Sequence, residues 1–269
     1  MSIFEYSFMV RALLAGSLIA VVAPLLGIFV VARNTSLIAD TLAHAALAGV
    51  GIGVILGISP TWGAVAVALL AALGVEYLMK NHRFSADAVL ALFLSGGLAL
   101  AVALVRVKGA SINFENYLFG SLITVTANEV WILLLTSLAM IGLILAYWWS
   151  FLSLSFSEEL TSTRGLNTKM LKNLLAVLTG LMVSQSLKIV GGLLIGAMMV
   201  IPVLIAITLC KSARSSVLVS IIFALLSVWS GLIISYYLNI PSGSAIVLMN
   251  VFWFAAALLV KGFGTFKNS

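Results

Sequence analysis

The sequence predicts an all-α polytopic membrane protein, and three observations carry that prediction. Hydrophobic residues fill 63% of the 269 positions and charged residues only 8%. The mean hydropathy is +1.24, far above that of a soluble domain, in which roughly a quarter of the residues are charged. The apolar residues also gather into runs of about 20, the length a helix needs to cross a bilayer, rather than into the short alternating segments of a membrane barrel. By length the chain holds about nine transmembrane helices, with eight to ten possible, and leaves no room for a sizeable soluble domain. Residues 1–269 are expected to form a single transmembrane domain.

Taken in order, the apolar runs fall near 12–31, 36–56, 61–79, 85–105, 127–150, 169–187, 190–210, 215–238 and 242–261. The breaks between them carry turn and loop residues: "ARNTS", "GISP" with Pro60, "KNHRFS", "RVKGASINFENYLFG", "SLSFSEELTSTRGLN", "SLKIVGG", "KSARSS", and "NIPSGS" with Pro241. Glu5 precedes the first basic residue and no A-x-A site follows, so the first run reads as a retained span and not a cleaved signal peptide.

Cytoplasmic loops hold an excess of Lys and Arg, which gives the nine runs an orientation. With the N-terminus outside, the inner side collects ten basic residues: Arg33, Lys80, Arg83, Arg164, Lys169, Lys172, Lys211, Arg214, Lys261 and Lys267. The outer side keeps four, Arg11, Arg106, Lys108 and Lys188. The C-terminus is then cytoplasmic. The net charge of +6 needs no nucleic acid to explain it, because membrane lipid and the inside rule suffice.

The stretch "ADTLAHAALAGVGIG", residues 39–53, sets a carboxylate, Asp40, and an imidazole, His44, in an otherwise apolar run. Counting helical rise from Arg33 as the inner boundary puts Asp40 roughly 10 Å and His44 roughly 16 Å into the apolar layer. A charge at such depth costs about 2.5 to 3.5 kcal/mol on insertion scales and ordinarily marks a partner or a pathway. The spacing of four places both groups on one helical face, while Ala45, Gly49 and Gly53 form a neighbouring stripe suited to close packing. Three readings are open: a hydrogen-bonded couple that fixes packing, a proton relay, and a cation site, the last being preferred. Carboxylate with neutral imidazole suits zinc, manganese or iron(II) alike. Two side chains are too few for a closed structural zinc site, so waters, carbonyls or other residues must complete the shell.

The other polar residues read more plainly. Glu76 and Asp87 flank the basic "KNHRFS" loop and are expected to pair with Lys80 or Arg83, Asp87 also suiting a helix N-terminus. Glu115 and Glu129 are expected to be solvated near the outer face, and His82 to be a loop residue. Gln185 and Asn250 are expected to hydrogen-bond between helices, and Met198 and Met199 to fill the core. The single cysteine, Cys210, can form no internal disulfide.

No G-x-x-x-x-G-K-[ST], H-E-x-x-H or G-x-S-x-G occurs, so the chain has no P-loop and no protease or lipase signature. It is not expected to be an enzyme, and any energy source must come from elsewhere. Within "SLSFSEELTSTRGLNTKML", Ser157 reads as an N-cap, Glu158 and Glu159 as a first turn, and Gly165 as the stop of a short helix. That segment, about 153–167, is either a docking element for a partner or an ordinary surface helix.

Five stretches together resemble the membrane permease of bacterial zinc, manganese and iron ABC importers. They are "FMVRALLAG", "GIFVVARNTSLIADTLAHAALAGVGIG", "NYLFGSLITVT", "SFSEELTSTRGLN" and "VGGLLIGAMMVIP", and they span nearly the whole chain in order. The family's basic residue followed by D-x-x-x-H and small residues falls on Arg33, Asp40, His44, Ala48 and Gly49. The resemblance implies that Asp40 and His44 line the metal path. It also implies that Ser157, Glu159, Leu160 and Gly165 belong to a coupling helix resting on an ATPase subunit. Two departures stand out: Ser121 replaces an acid after the Y-L-F-G motif, and "RNTS" replaces a second basic or Met residue.

The implied assembly is a homodimer of permeases in the bacterial inner membrane. Two ATPase subunits lie inside, and an extracytoplasmic metal-binding protein delivers the ion. No cofactor is permanently bound; the divalent metal is cargo, zinc being expected and manganese or iron(II) the alternatives within the family. Because a ligating imidazole must be neutral and the carboxylate ionised, uptake is expected to weaken as external pH falls. A proton-coupled secondary transporter is the competing reading from another class, and a siderophore or corrinoid permease would need a wider, more polar path.

Overall fold

The computed structural model describes residues 7–80, 84–107, 114–120 and 125–266, and among these there are helices and no strands. His82, Arg83, Lys108, Ser121 and Lys267 lie outside the described residues. In chain order the helices are α1 (Ser7–Ala32), α2 (Ile38–Leu56), α3 (Pro60–Met79), α4 (Ala86–Val107), α5 (Phe114–Phe119), α6 (Ala127–Ala146), α7 (Trp148–Phe156), α8 (Glu158–Thr163), α9 (Thr168–Ser186), α10 (Ile195–Leu209), α11 (Ala213–Leu238) and α12 (Ser242–Phe266).

Each of the nine apolar runs coincides with a helix, and α5, α7 and α8 are short additions. Among the described residues seven helices are long and apolar enough to cross a membrane. The other two runs became α9, 19 residues with a more polar composition, and α10, only 15 residues. The run at 127–150 is broken at Tyr147, where α6 ends and α7 begins.

Burial separates an inner set of helices from an outer one. In α1 and α2 the apolar windows are 67% and 78% buried, against 17% in α4 and 22% in α6. The outer helices turn leucines and tryptophans outward, including Leu92, Leu100, Trp131, Leu135, Leu248 and Leu259. In water such faces would be unstable; in lipid they are the expected surface. α2 packs against α3 and α4, α3 against α9, α1 against α6, α10 and α11, and α10 against α11 and α12.

Small residues make the closest contacts. Gly49 of α2 and Gly63 of α3 face each other so tightly that a Cβ on either would fall on the other's carbonyl oxygen. Gly53 lies likewise against Ser59 and Pro60. Two members of the small-residue stripe expected beside Asp40 and His44, Gly49 and Gly53, thus form the α2–α3 seam, as close backbone approach in lipid requires.

Between α9 and α10 the chain leaves the helical path at residues 187–194. Gly191 takes φ +94° and packs on Gly120 at φ +75°, conformations a residue with a side chain rarely adopts. The freed backbone groups find partners elsewhere: the Gly192 and Leu193 N–H groups donate to the Tyr117 and Leu118 carbonyls at 2.7 and 3.2 Å, and the Ser242 hydroxyl donates to the Ile189 carbonyl. Irregular backbone in a membrane bundle needs such partners.

Candidate metal-transit site

The site begins at the turn between α1 and α2. α1 stops at Ala32, and the Thr35 N–H and hydroxyl both donate to the Val30 carbonyl, at 3.1 and 3.2 Å, folding the turn back along α1. Residues 33–37 are therefore not helical, and Asp40 is the third residue of α2. Helical rise therefore cannot be counted continuously from Arg33: along α2 itself Asp40 lies about 3 Å and His44 about 9 Å from the first residue. The error came from assuming one continuous helix across a turn that doubles back.

Arg33 anchors that turn. Its Nη2 lies 3.1 Å from Glu76 Oε1, with side chains only 11% and 4% exposed. The expected pairing of Glu76 with Lys80 or Arg83 is thus replaced by a buried bridge from the α1–α2 turn to α3. Sequence distance hid it, since the partners are 43 residues apart.

From this base α2 projects Asp40, half-buried, and His44, buried with 7% exposure. Three elements wall them. Thr41, between them, donates its hydroxyl to the Leu37 carbonyl at 2.9 Å and lies 3.3 Å from the Leu90 carbonyl of α4. Gly97 of α4 abuts the backbone of His44 and Ala45 so closely that a Cβ there would clash. Leu47, one turn beyond His44, meets Gly192 of the 187–194 connection. The first turn of α10 reaches Asp40, whose carboxylate packs directly against Gly196.

His44 Nδ1 is buried with no hydrogen-bond partner among the described residues, and no hydrogen bond there joins it to Asp40. A hydrogen-bonded couple that merely fixes packing is therefore not what these residues form. Leaving a buried ring nitrogen without a partner costs about 1–3 kcal/mol, so the arrangement is better suited to receiving something than to holding the bundle together. Among the described residues no third His, Cys, Asp or Glu joins the pair, so the side chains offer one oxygen donor and one nitrogen donor. Such a set can grip a transition-metal cation loosely and release it, with water or backbone carbonyls completing the shell.

The remaining polar residues fill structural places. Glu129, expected to be solvated, instead pairs with Lys188 at 2.5 Å and completes a capping box with Thr126 at the start of α6. That ion pair borders a cavity of about 60 Å³ lined also by Thr61, Tyr117 and Gln185. Gln185 accepts a hydrogen bond from Thr136 of α6 at 2.7 Å, and Asn250 of α12 reaches Met198 of α10 at 3.1 Å, both between helices as expected. Met198 and Met199 are fully buried core residues.

The short helix read from "SEELTSTRG" is present as α8. Ser157 caps it, accepting from the Leu160 N–H at 3.4 Å, and Gly165 stops it at φ +75°. The Thr161 side chain is buried, while Leu160 is 60% and Phe156 is 80% exposed. Glu158 pairs with Lys172, and Arg164 donates to the Ser153 hydroxyl, so α8 is fastened to the helices on either side. Glu159 is exposed.

A lipid-facing helical bundle with an ionisable pair held between inner helices, and no catalytic constellation read from its sequence, defines the class of membrane transport subunits. The chain belongs to the ABC 3 transport family, which it matches over residues 5–261. It is an integral protein of the bacterial inner membrane. Among its relatives is the high-affinity zinc uptake system membrane protein ZnuB of Haemophilus influenzae, 31% identical over 96% of this chain and 98% of the relative. Another is the manganese transport system membrane protein MntC of Listeria monocytogenes, 29% identical over 96% of this chain and 92% of that one. In three dimensions it resembles PsaBC from Streptococcus pneumoniae, solved in complex with a Fab, with a TM-score of 0.85 and 30% identity over 94% of this chain and 92% of that one.

Proposed function

We propose that this chain is the permease subunit of an ABC importer for a divalent transition-metal ion, and that Asp40 and His44 are the cargo's ligands in transit. The observation that carries the reading is the unpartnered, buried Nδ1 of His44 one helical turn from the Asp40 carboxylate. The zinc and manganese permeases among the relatives support a metal of this kind, with zinc preferred and manganese or iron(II) the alternatives.

Membership of the family supports the rest of the assembly. A separate ATPase supplies the energy, an extracytoplasmic binding protein captures the ion tightly, and two permeases pair across the membrane with N-termini outside and C-termini in the cytoplasm. Residues 153–167 form the coupling segment: Ser157 and Gly165 shape α8, and Leu160 and Glu159 face the ATPase. Closure of the ATPases on ATP would rock the bundle through α8 and open the Asp40–His44 site to each side in turn.

The test is metal accumulation in proteoliposomes holding the complete transporter, comparing zinc, manganese and iron(II) with and without ATP. ATP-dependent uptake of one or more ions, lost in Asp40→Ala and in His44→Ala complexes that still assemble, is the expected result. Uptake driven by a proton gradient without ATP would establish the secondary-transporter reading instead. Uptake unchanged in both variants would remove Asp40 and His44 from the path.

A further inference from the structure

α10 begins in mid-bundle after the irregular connection 187–194, and its first turn has no cap of its own. The residue at its N-cap position is Leu194, which makes no side-chain hydrogen bond. The first N–H groups of any helix lack partners inside it, and one buried without an acceptor is costly. The chain brings an acceptor from a distance of 156 residues: the carboxylate of Asp40 on α2 lies directly against Gly196, second residue of α10.

The fit is close. A Cβ at Gly196 would fall on the Asp40 carboxylate, meeting both of its oxygens, so at this position only a glycine leaves the carboxylate where it is. Asp40 is also in the first turn of α2. Two helix N-termini, each carrying partial positive charge, therefore converge on one side chain.

Resting on the reading of Asp40 as a cargo ligand, we propose that Gly196 is a positioning residue whose amide and the cargo cation compete for the same carboxylate. In the metal-free protein Asp40 caps α10 and is held in place for the incoming ion. A divalent cation cannot approach the side of the carboxylate that faces the positive end of α10; it draws the oxygens toward His44 and takes them from the Gly196 N–H. Loading of the site thereby uncaps the first turn of α10 and loosens the junction at which 187–194 is tied to α5 and α12.

The test is amide hydrogen exchange on the complete transporter in lipid nanodiscs, read on a peptide covering Ile195–Met198, with Mn²⁺ as the probe ion and its occupancy counted by electron paramagnetic resonance. Losing a hydrogen bond to a charged acceptor should speed exchange of this peptide about tenfold. The expected result is that acceleration on Mn²⁺ binding to the unmodified protein, and the same acceleration without metal in Asp40→Ala. Asp40→Asn, which keeps an acceptor of the same size, should give a smaller increase and serves if the alanine variant fails to assemble. Bound Mn²⁺ with unchanged exchange at 195–198 would overturn the competition while leaving the ligand assignment intact. Metal-free exchange unchanged in both Asp40 variants would overturn the cap. Import at the unmodified rate by the Asp40 variants would overturn the ligand assignment and this inference together.

Discussion

The two unusual regions of this chain depart from the bundle's logic in opposite directions. Around Asp40 and His44, polar groups are buried with too few partners, so that a ring nitrogen is left open inside the protein. Around α8, already fastened by its cap and by the Glu158–Lys172 pair, apolar groups are exposed, so that Phe156 at the end of α7 and Leu160 of α8 are left open outside the bundle. An incomplete interior site is suited to an ion in passage, and an incomplete exterior one to a protein in contact. On the proposed function the two kinds of unsatisfied chemistry mark different partners, a cation inside the bundle and a protein outside it.

The strongest way to break the comparison is at the inner pair. Asp40→Ala and His44→Ala are each expected to reduce ATP-dependent metal uptake to background while leaving expression and complex assembly unchanged, as measured by accumulation of radioactive metal in proteoliposomes. Wild-type uptake in His44→Ala would make the open ring nitrogen a packing accident. Next in size, Glu76→Ala leaves Arg33 buried without its partner and should cost about 3–5 kcal/mol, because an uncompensated charge is worse than no charge. Thermal unfolding in detergent reads this as a large fall in Tm; no fall would mean that the bridge does not hold the turn below the site.

The outer region predicts smaller effects of a different kind. Leu160→Asp should weaken uptake about tenfold by removing an apolar anchor from the partner contact, with little change in Tm, since the side chain is already in solvent. Equal loss of stability and uptake would show that α8 serves the fold and not a partner. Smallest is Ser157→Ala, which deletes the α8 cap and should cost about 1 kcal/mol of local stability. Faster hydrogen exchange confined to residues 158–163 would report it, with uptake lowered only partly.

Much of this was legible in order along the chain. Nine apolar runs gave nine helices, because in lipid a segment must satisfy its own backbone and length alone then constrains the outcome. The α8 cap and stop were readable from Ser157 and Gly165, since both act within a few residues. The i, i+4 spacing of Asp40 and His44 placed them on one face for the same local reason.

What sequence reasoning missed shares one property: the partners are far apart in the chain. Arg33 with Glu76, Glu129 with Lys188, and Asp40 with Gly196 are each joined only when helices pack, and no periodicity announces them. The count of helical rise from Arg33 failed as well, because the turn at 33–37 doubles back through hydrogen bonds from Thr35 to Val30. By itself the sequence determined that this is a helical membrane bundle with an ionisable pair on one face, since composition and local spacing act through the bilayer and the helix. Only the tertiary structure decided that His44 would have an open nitrogen and that Asp40 would meet the end of α10, because which groups are satisfied depends on what packing brings within about 3 Å.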